Sequence, residues 1–151
     1  MKLNSQVLDN RDPWFQAGFV LPTFDRSKII ANTKARPVWA HFGAGNIFRV
    51  FPAALWQQLL ETGHEDTGVV VVEGFDYEIL DTVFAPHDNL TVGVTLKADG
   101  TITKTVIASM AEALKSDTAH ADFSRLKEVF RAPSLKMVSF TITEKGYSLL
   151  Q

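Results

Sequence analysis

Val38-Trp39-Ala40-His41-Phe42-Gly43-Ala44-Gly45-Asn46-Ile47-Phe48 (residues 38–48) decides the reading of this chain. Its first five residues are mostly apolar and rich in strand formers, and they run into a bend carrying Gly43 and Gly45. Apolar residues then recur at helical spacing, Phe51, Ala54, Leu55 and Leu59, until Gly63 offers a stop. Beyond it, Val69-Val70-Val71-Val72 is a continuous β-branched run closed by Glu73-Gly74. A run of that kind is a strand buried on both faces, as in parallel sheets. Residues 37–74 therefore spell strand, glycine-rich turn, helix and strand, which is one βαβ unit.

The bend sits where a dinucleotide loop belongs. Gly43 makes the tight turn, and Gly45 lets backbone N–H groups approach a pyrophosphate with no Cβ in the way. The following helix start favours phosphate charge. Phe48 stands where the third glycine of the fingerprint would be, so spacing alone leaves a structural turn equally open. Pro52 either opens the regular helix or kinks one that starts earlier, and a kink is favoured because Asn46 is a good N-cap. Glu73 or Asp76, at the end of the second strand, is the candidate for the adenosine ribose hydroxyls. A carboxylate there repels a 2′-phosphate and so selects NAD over NADP. Both acids also read as loop decoration.

Working outward, Asp12-Pro13 starts a short helix with Trp14, Phe15 and Phe19 following, and Asp25 caps another over residues 26–32 with Ile29 and Ile30 on its buried side. Residues 91–96 and 102–108 nearly alternate around Asp99-Gly100, a hairpin signal. Phe123, Leu126, Val129 and Phe130 form an amphipathic helix ending before Pro133, and residues 137–142 form a last apolar strand running into Thr143-Glu144-Lys145. The expected fold is α/β: a partial Rossmann-like, doubly wound, mainly parallel sheet with a hairpin insertion. Residues 1–36 are expected to be a helical N-terminal extension, and residues 37–151 the first part of the dinucleotide-binding domain.

With 15 Lys and Arg against 17 Asp and Glu, the formal charge is −2. No basic field is available for nucleic acid, and no polybasic stretch for an anionic membrane. The chain has no cysteine, which removes disulfides, thiolate metal sites and cysteine nucleophiles and fits a reducing cytoplasm. Its start does not read as a secretory signal, and its apolar runs are too short to cross a bilayer.

His41 lies in the predicted buried strand and reads as structural; His64, His87 and His120 read as solvated, and no metal set is expected. Lys145 in a strand-end turn reads as an exposed charge rather than a catalytic lysine. Ser139, Thr141 and Thr143 alternate with Phe140 and Ile142 as strand residues, and Trp14, Phe15, Phe19, Trp39 and Trp56 read as core.

Two stretches, His41-Phe42-Gly43-Ala44-Gly45-Asn46-Ile47-Phe48-Arg49 and Ser139-Phe140-Thr141-Ile142-Thr143-Glu144-Lys145-Gly146-Tyr147, together resemble the long-chain mannitol dehydrogenase family of polyol and hexuronate oxidoreductases. Leu21-Pro22-Thr23-Phe24-Asp25 is similar to the approach to this domain in the fructuronate reductase (mannonate oxidoreductase) branch. The resemblance implies NAD as cofactor and interconversion of a keto sugar acid and its alcohol, D-fructuronate and D-mannonate. It implies that Gly43, Ala44, Gly45, Asn46, Ile47, Phe48 and Arg49 line the pyrophosphate turn. Glu73 or Asp76 would take the ribose, and Thr141, Thr143, Glu144 and Lys145 would lie near the nicotinamide. The family's histidine after the phenylalanine is absent, since Arg49 follows Phe48 directly. The family's catalytic lysine, asparagine and histidine fall beyond Gln151, as does its helical second domain. No catalytic residue is therefore expected here, and the chain is expected to be an N-terminal fragment that self-associates through uncovered apolar surface. A non-catalytic nucleotide-binding module and a methyltransferase remain the alternatives.

Overall fold

The computed structural model describes residues 2–142. Helices α1 (Gln6–Asp9) and α2 (Asp12–Gln16) lead to a two-residue strand β1 (Phe19–Val20) and helix α3 (Arg26–Ala35). Asp25 caps α3 by accepting the Lys28 N–H, the role its side chain suits. Strand β2 (Trp39–Phe42), helices α4 (Asn46–Val50) and α5 (Pro52–Glu61) and strand β3 (Val69–Glu73) form the expected βαβ unit. A π turn (Leu80–Phe84) precedes β4 (Thr91–Leu96), β5 (Ile102–Ile107), β6 (Met110–Lys115), α6 (Asp122–Arg131) and β7 (Met137–Phe140).

One sheet has the order β6-β3-β2-β7, every pair parallel. This is the first half of a doubly wound sheet, in which successive strands step to one side and the fourth returns to the other. Alternation along β2 and β3 divides two layers. Trp39, Val69 and Val71 pack with Phe48, Ala53, Leu80 and Phe84 on one face. Ala40, Val70 and Val72 pack with Leu126 and Val129 of α6 on the other. The hairpin β4–β5 is antiparallel, as its Asp99-Gly100 turn demanded, and β1 pairs parallel with β5 in a second sheet. The lead-in is therefore helical with one strand in it, and it packs Val7, Trp14 and Leu21 against Leu90 and Val106.

Three local expectations change. The helix after the bend is two helices: Phe51 (φ −119, ψ −75) breaks the ladder and Pro52 opens α5, where its missing N–H costs nothing. Asn46 is inside the first turn; the N-cap is Gly45, whose carbonyl accepts the Arg49 N–H. Of the helically spaced Phe51, Ala54, Leu55 and Leu59, Ala54 packs against the core and the other three are exposed, while Ala53, Gln57 and Leu60 of α5 are buried. The apolar arc of α5 is broad, and the clamp of Gln57 at the edge of that arc fixes which part turns inward. Its amide donates to the Val106 carbonyl at 3.0 Å and its carbonyl accepts from Ala108 N at 2.6 Å. Phe15, expected in the core, is half exposed beneath the Arg11 guanidinium.

Candidate functional site

The carboxyl ends of β2, β3, β6 and β7 open onto one cleft of about 800 Å³. After β2 it is lined by Gly43, Ala44 and Gly45, after β3 by Gly74 and Phe75, after β6 by Ser116, and after β7 by Thr141 and Ile142. It lies between β2 and β7, where the winding reverses and open α/β sheets bind ligands.

The two glycines differ. Gly43 has φ +116 and donates its N–H to the Val72 carbonyl at 2.8 Å. A Cβ there would collide with Thr141 Oγ1 and stand 3.1 Å from the Thr141 carbonyl oxygen. Glycine is thus required by the backbone and by the neighbouring strand. Gly45 has an ordinary extended backbone (φ −69, ψ 172), and a Cβ there would meet nothing within 4 Å. Nothing inside the protein asks for glycine at this position, and the free space faces the cleft.

Glu73 is buried, with its carboxylate among main-chain amides. One oxygen accepts from Ala44 N at 2.9 Å, and the other from Gly74, Phe75 and Asp76 N at 2.9, 3.0 and 3.3 Å. The carboxylate is therefore held rigidly at the tip of β3, bridging the two loops that flank the cleft. Asp76 contributes its amide to that cradle and leaves its side chain exposed, outside the cleft lining. Of the two acids, only Glu73 lines the cleft.

Ile47 and Phe48 also border the cleft, while Asn46 and Arg49 do not. The Arg49 guanidinium donates to Asn46 Oδ1 and lies 5.8 Å from the Phe84 ring centroid. Burial holds its pKa below the ordinary value, and its Nε has no partner among the described residues. Phe48 explains the missing third glycine. It is fully buried, stacked on His41 (centroids 3.9 Å apart, planes 10°), with its edge toward Trp39. An aromatic ring fills the space that a glycine would leave for close helix–strand approach. Burial lowers the His41 pKa to about 4, so the ring is neutral at pH 7. Thr143, Glu144 and Lys145 lie outside the described residues.

Phe42, Phe75, Ser116, Phe140 and Ile142 join the cleft without having been singled out from the sequence. Ser116 was hidden because β6, Met-Ala-Glu-Ala-Leu-Lys, has helix-forming composition. Phe75 could have been found as an aromatic immediately after a predicted acidic strand end. Among the described residues no cluster of His, Asp and Glu could hold a metal ion, and no helix is long and apolar enough to cross a membrane.

A parallel β6-β3-β2-β7 sheet, a glycine bend at its point of reversal and a buried carboxylate ending the second strand define a Rossmann-type α/β domain. No family model matches the sequence. Over 149 residues the chain is 52% identical to D-mannonate oxidoreductase of Thermotoga maritima, a match covering 99% of this chain and 28% of that protein. The fold is similar to that of mannitol 2-dehydrogenase of Pseudomonas fluorescens, solved as a ternary complex with NAD and D-mannitol. Here the TM-score is 0.75 and the identity 27%, covering 97% of this chain and 28% of that one. It is also similar to D-sorbitol dehydrogenase in substrate-free form, with TM-score 0.71 and 28% identity over 87% of this chain and 26% of that one. The resemblance to the long-chain mannitol dehydrogenase family thus stands on sequence and on fold. The chain spans 28% of the length of the curated relative it matches.

Proposed function

We propose that this chain supplies the cofactor-binding part of an NAD-linked oxidoreductase that interconverts a keto sugar acid and its alcohol, D-fructuronate and D-mannonate. The observation that carries the reading is the open bend at Gly45, a glycine with no internal reason to be one, at the reversal point of a parallel sheet. A diphosphate fits there, because it needs close approach to main-chain amides. The single short turn of α4 adds little macrodipole, and the Gly43 and Ala44 N–H groups are engaged by Val72 and Glu73, so the amides from Gly45 onward are the main attraction. Glu73 would accept from the adenosine ribose hydroxyls, and Phe75, 97% exposed on the rim, offers a ring face to adenine. Bound NAD supplies the hydride acceptor; the chain's own residues bind and orient it. Thr143, Glu144 and Lys145 belong to the nicotinamide side in this reading, and Thr141, which stands against Gly43, lies where that side meets the diphosphate, with Asn46 and Arg49 supporting the bend from behind.

In the same reading residues 1–36 buttress the domain and residues 37–151 form its cofactor half, with no catalytic residue assigned to either. Binding without turnover is the expectation for this chain alone. Its partners are the dinucleotide, a small sugar acid or polyol, and a second copy of itself; nucleic acid and membranes are not among them, and the cytoplasm is the compartment we propose. Calorimetric titration with NADH and, in parallel, S-adenosylmethionine tests the reading. Heat of binding from NADH alone supports it, and binding of S-adenosylmethionine, or of neither, contradicts it.

A further inference from the structure

Four side chains, two on β2, one on β7 and one just after it, form a continuous hydrogen-bonded row that ends at the cleft. Trp39 Nε1 donates to Ser139 Oγ at 2.6 Å, Ser139 Oγ lies 2.7 Å from His41 Nδ1, and His41 Nε2 lies 3.2 Å from Thr141 Oγ1. Thr141 lines the cleft beside Gly43, whereas Trp39, His41 and Ser139 do not.

The row has a direction. An indole N–H can only donate, so Ser139 Oγ is an acceptor toward Trp39. Its own proton then needs a taker, and among the described residues His41 Nδ1 is the one within reach. That requires a bare Nδ1 and, in a neutral ring, a proton on Nε2. Burial keeps the ring neutral, with its pKa lowered to about 4. Nε2–H then donates to Thr141 Oγ1, leaving the threonine its own proton to give. The opposite polarity, with Nδ1–H donating to Ser139, strands the serine proton with no acceptor among the described residues and uses the threonine proton internally. Trp39 and His41 are buried while Ser139 and Thr141 are part-buried, and such a row favours the arrangement that pairs its donors internally.

We infer that Trp39, Ser139 and His41 form a polarised relay that presents the Thr141 hydroxyl as a hydrogen-bond donor to a diphosphate oxygen of the bound dinucleotide. An ionised phosphate oxygen can only accept, so a hydroxyl committed to donation suits it where an uncommitted one would be divided. Thr141 is the binding residue, and His41 is a positioning residue that acts through it. The inference rests on the dinucleotide reading above.

Two measurements test it. Long-range proton–nitrogen NMR of the chain at pH 7 should show His41 protonated on Nε2 and bare on Nδ1; an Nδ1–H tautomer overturns the relay. Titration with NADH and with ADP-ribose, which keeps the diphosphate and lacks nicotinamide, should show Thr141→Val weakening both by about ten-fold. Thr141→Ser should restore both, which a role in packing alone would not do. If the unsubstituted chain binds NADH and Thr141→Val binds it equally well, or loses NADH affinity only, the inference fails while the function proposed above survives. No binding by the unsubstituted chain overturns both.

Discussion

Thr141, the residue after β7, stands against Gly43 so closely that its hydroxyl and carbonyl occupy the approach to any Cβ at that position. The first glycine of the bend is thus fixed by the protein's own architecture, and the second, Gly45, is not. Gly43→Ala must move Thr141 and also adopt φ +116, a region closed to side-chain-bearing residues. It should lose about 2–4 kcal/mol of stability, read as a lower midpoint in urea unfolding. An unchanged midpoint would show that the two strand ends are not held together as described.

Phe48→Ala tests the replacement of the third glycine. The ring is fully buried against the His41 and Trp39 rings, and its removal should cost about 3–5 kcal/mol. Equilibrium denaturation measures this directly, and a cost below about 1 kcal/mol would mean that helix α4 does not rest on that ring.

His41 gives a pH dependence whose sign is fixed by burial. Its folded pKa is about 4, against about 6.5 unfolded, so between those values the unfolded chain binds more protons. Stability is full above about pH 6.5 and falls as pH drops toward 4, by up to about 3 kcal/mol. Trp39, Phe48, Ser139 and Thr141, which surround the ring, carry no charge that would offset this. Unfolding free energy measured from pH 7 to pH 5 should decline, and His41→Gln should flatten that decline.

Glu73 should hold the choice of dinucleotide. Its carboxylate is fixed by four amide N–H groups and borders the cleft, so a 2′-phosphate beside it meets a charge that cannot swing away. The chain should bind NADH in preference to NADPH, and Glu73→Gln should narrow the ratio of dissociation constants by about ten-fold. Phe75→Ala, at a side chain with no internal packing to lose, should weaken NADH roughly ten-fold by loss of stacking and leave the unfolding midpoint unchanged.

Apolar surface left open predicts self-association. Ile47 is 70% and Phe51 61% exposed, and Val138 and Phe140 of β7 are also left partly uncovered. Light scattering should show species larger than a monomer that shift toward monomer in Phe51→Ser. A monodisperse monomer of the unsubstituted chain would contradict this.

The parts of this fold legible in the sequence are those where one signal dominates. Val69 to Val72 reads as a two-faced strand because no polar residue interrupts it, and Asp99-Gly100 fixes a hairpin through its backbone conformation alone. Strand β6 was illegible because Ala, Glu and Lys favour helix and only pairing with β3 makes them a strand. The inner face of α5 is not legible from the spacing of its apolar residues, because the deciding contact is a polar one from Gln57 to residues some fifty positions away. At the cleft, Gly43, Gly45 and Glu73 were legible from their order along the chain. The contribution of Phe75, and the exclusion of Asn46, Arg49 and Asp76 from the lining, depend on side-chain directions that spacing does not specify.

The most direct test is Gly45→Val, assayed for both NADH affinity and unfolding midpoint. With ordinary backbone angles and no neighbour within 4 Å of a Cβ, the variant should fold, losing no more than about 1 kcal/mol to a poorer N-cap, yet bind NADH at least about ten-fold more weakly. Unchanged NADH affinity in a fully folded Gly45→Val chain would contradict the account, because the space kept open at that bend would then serve no dinucleotide.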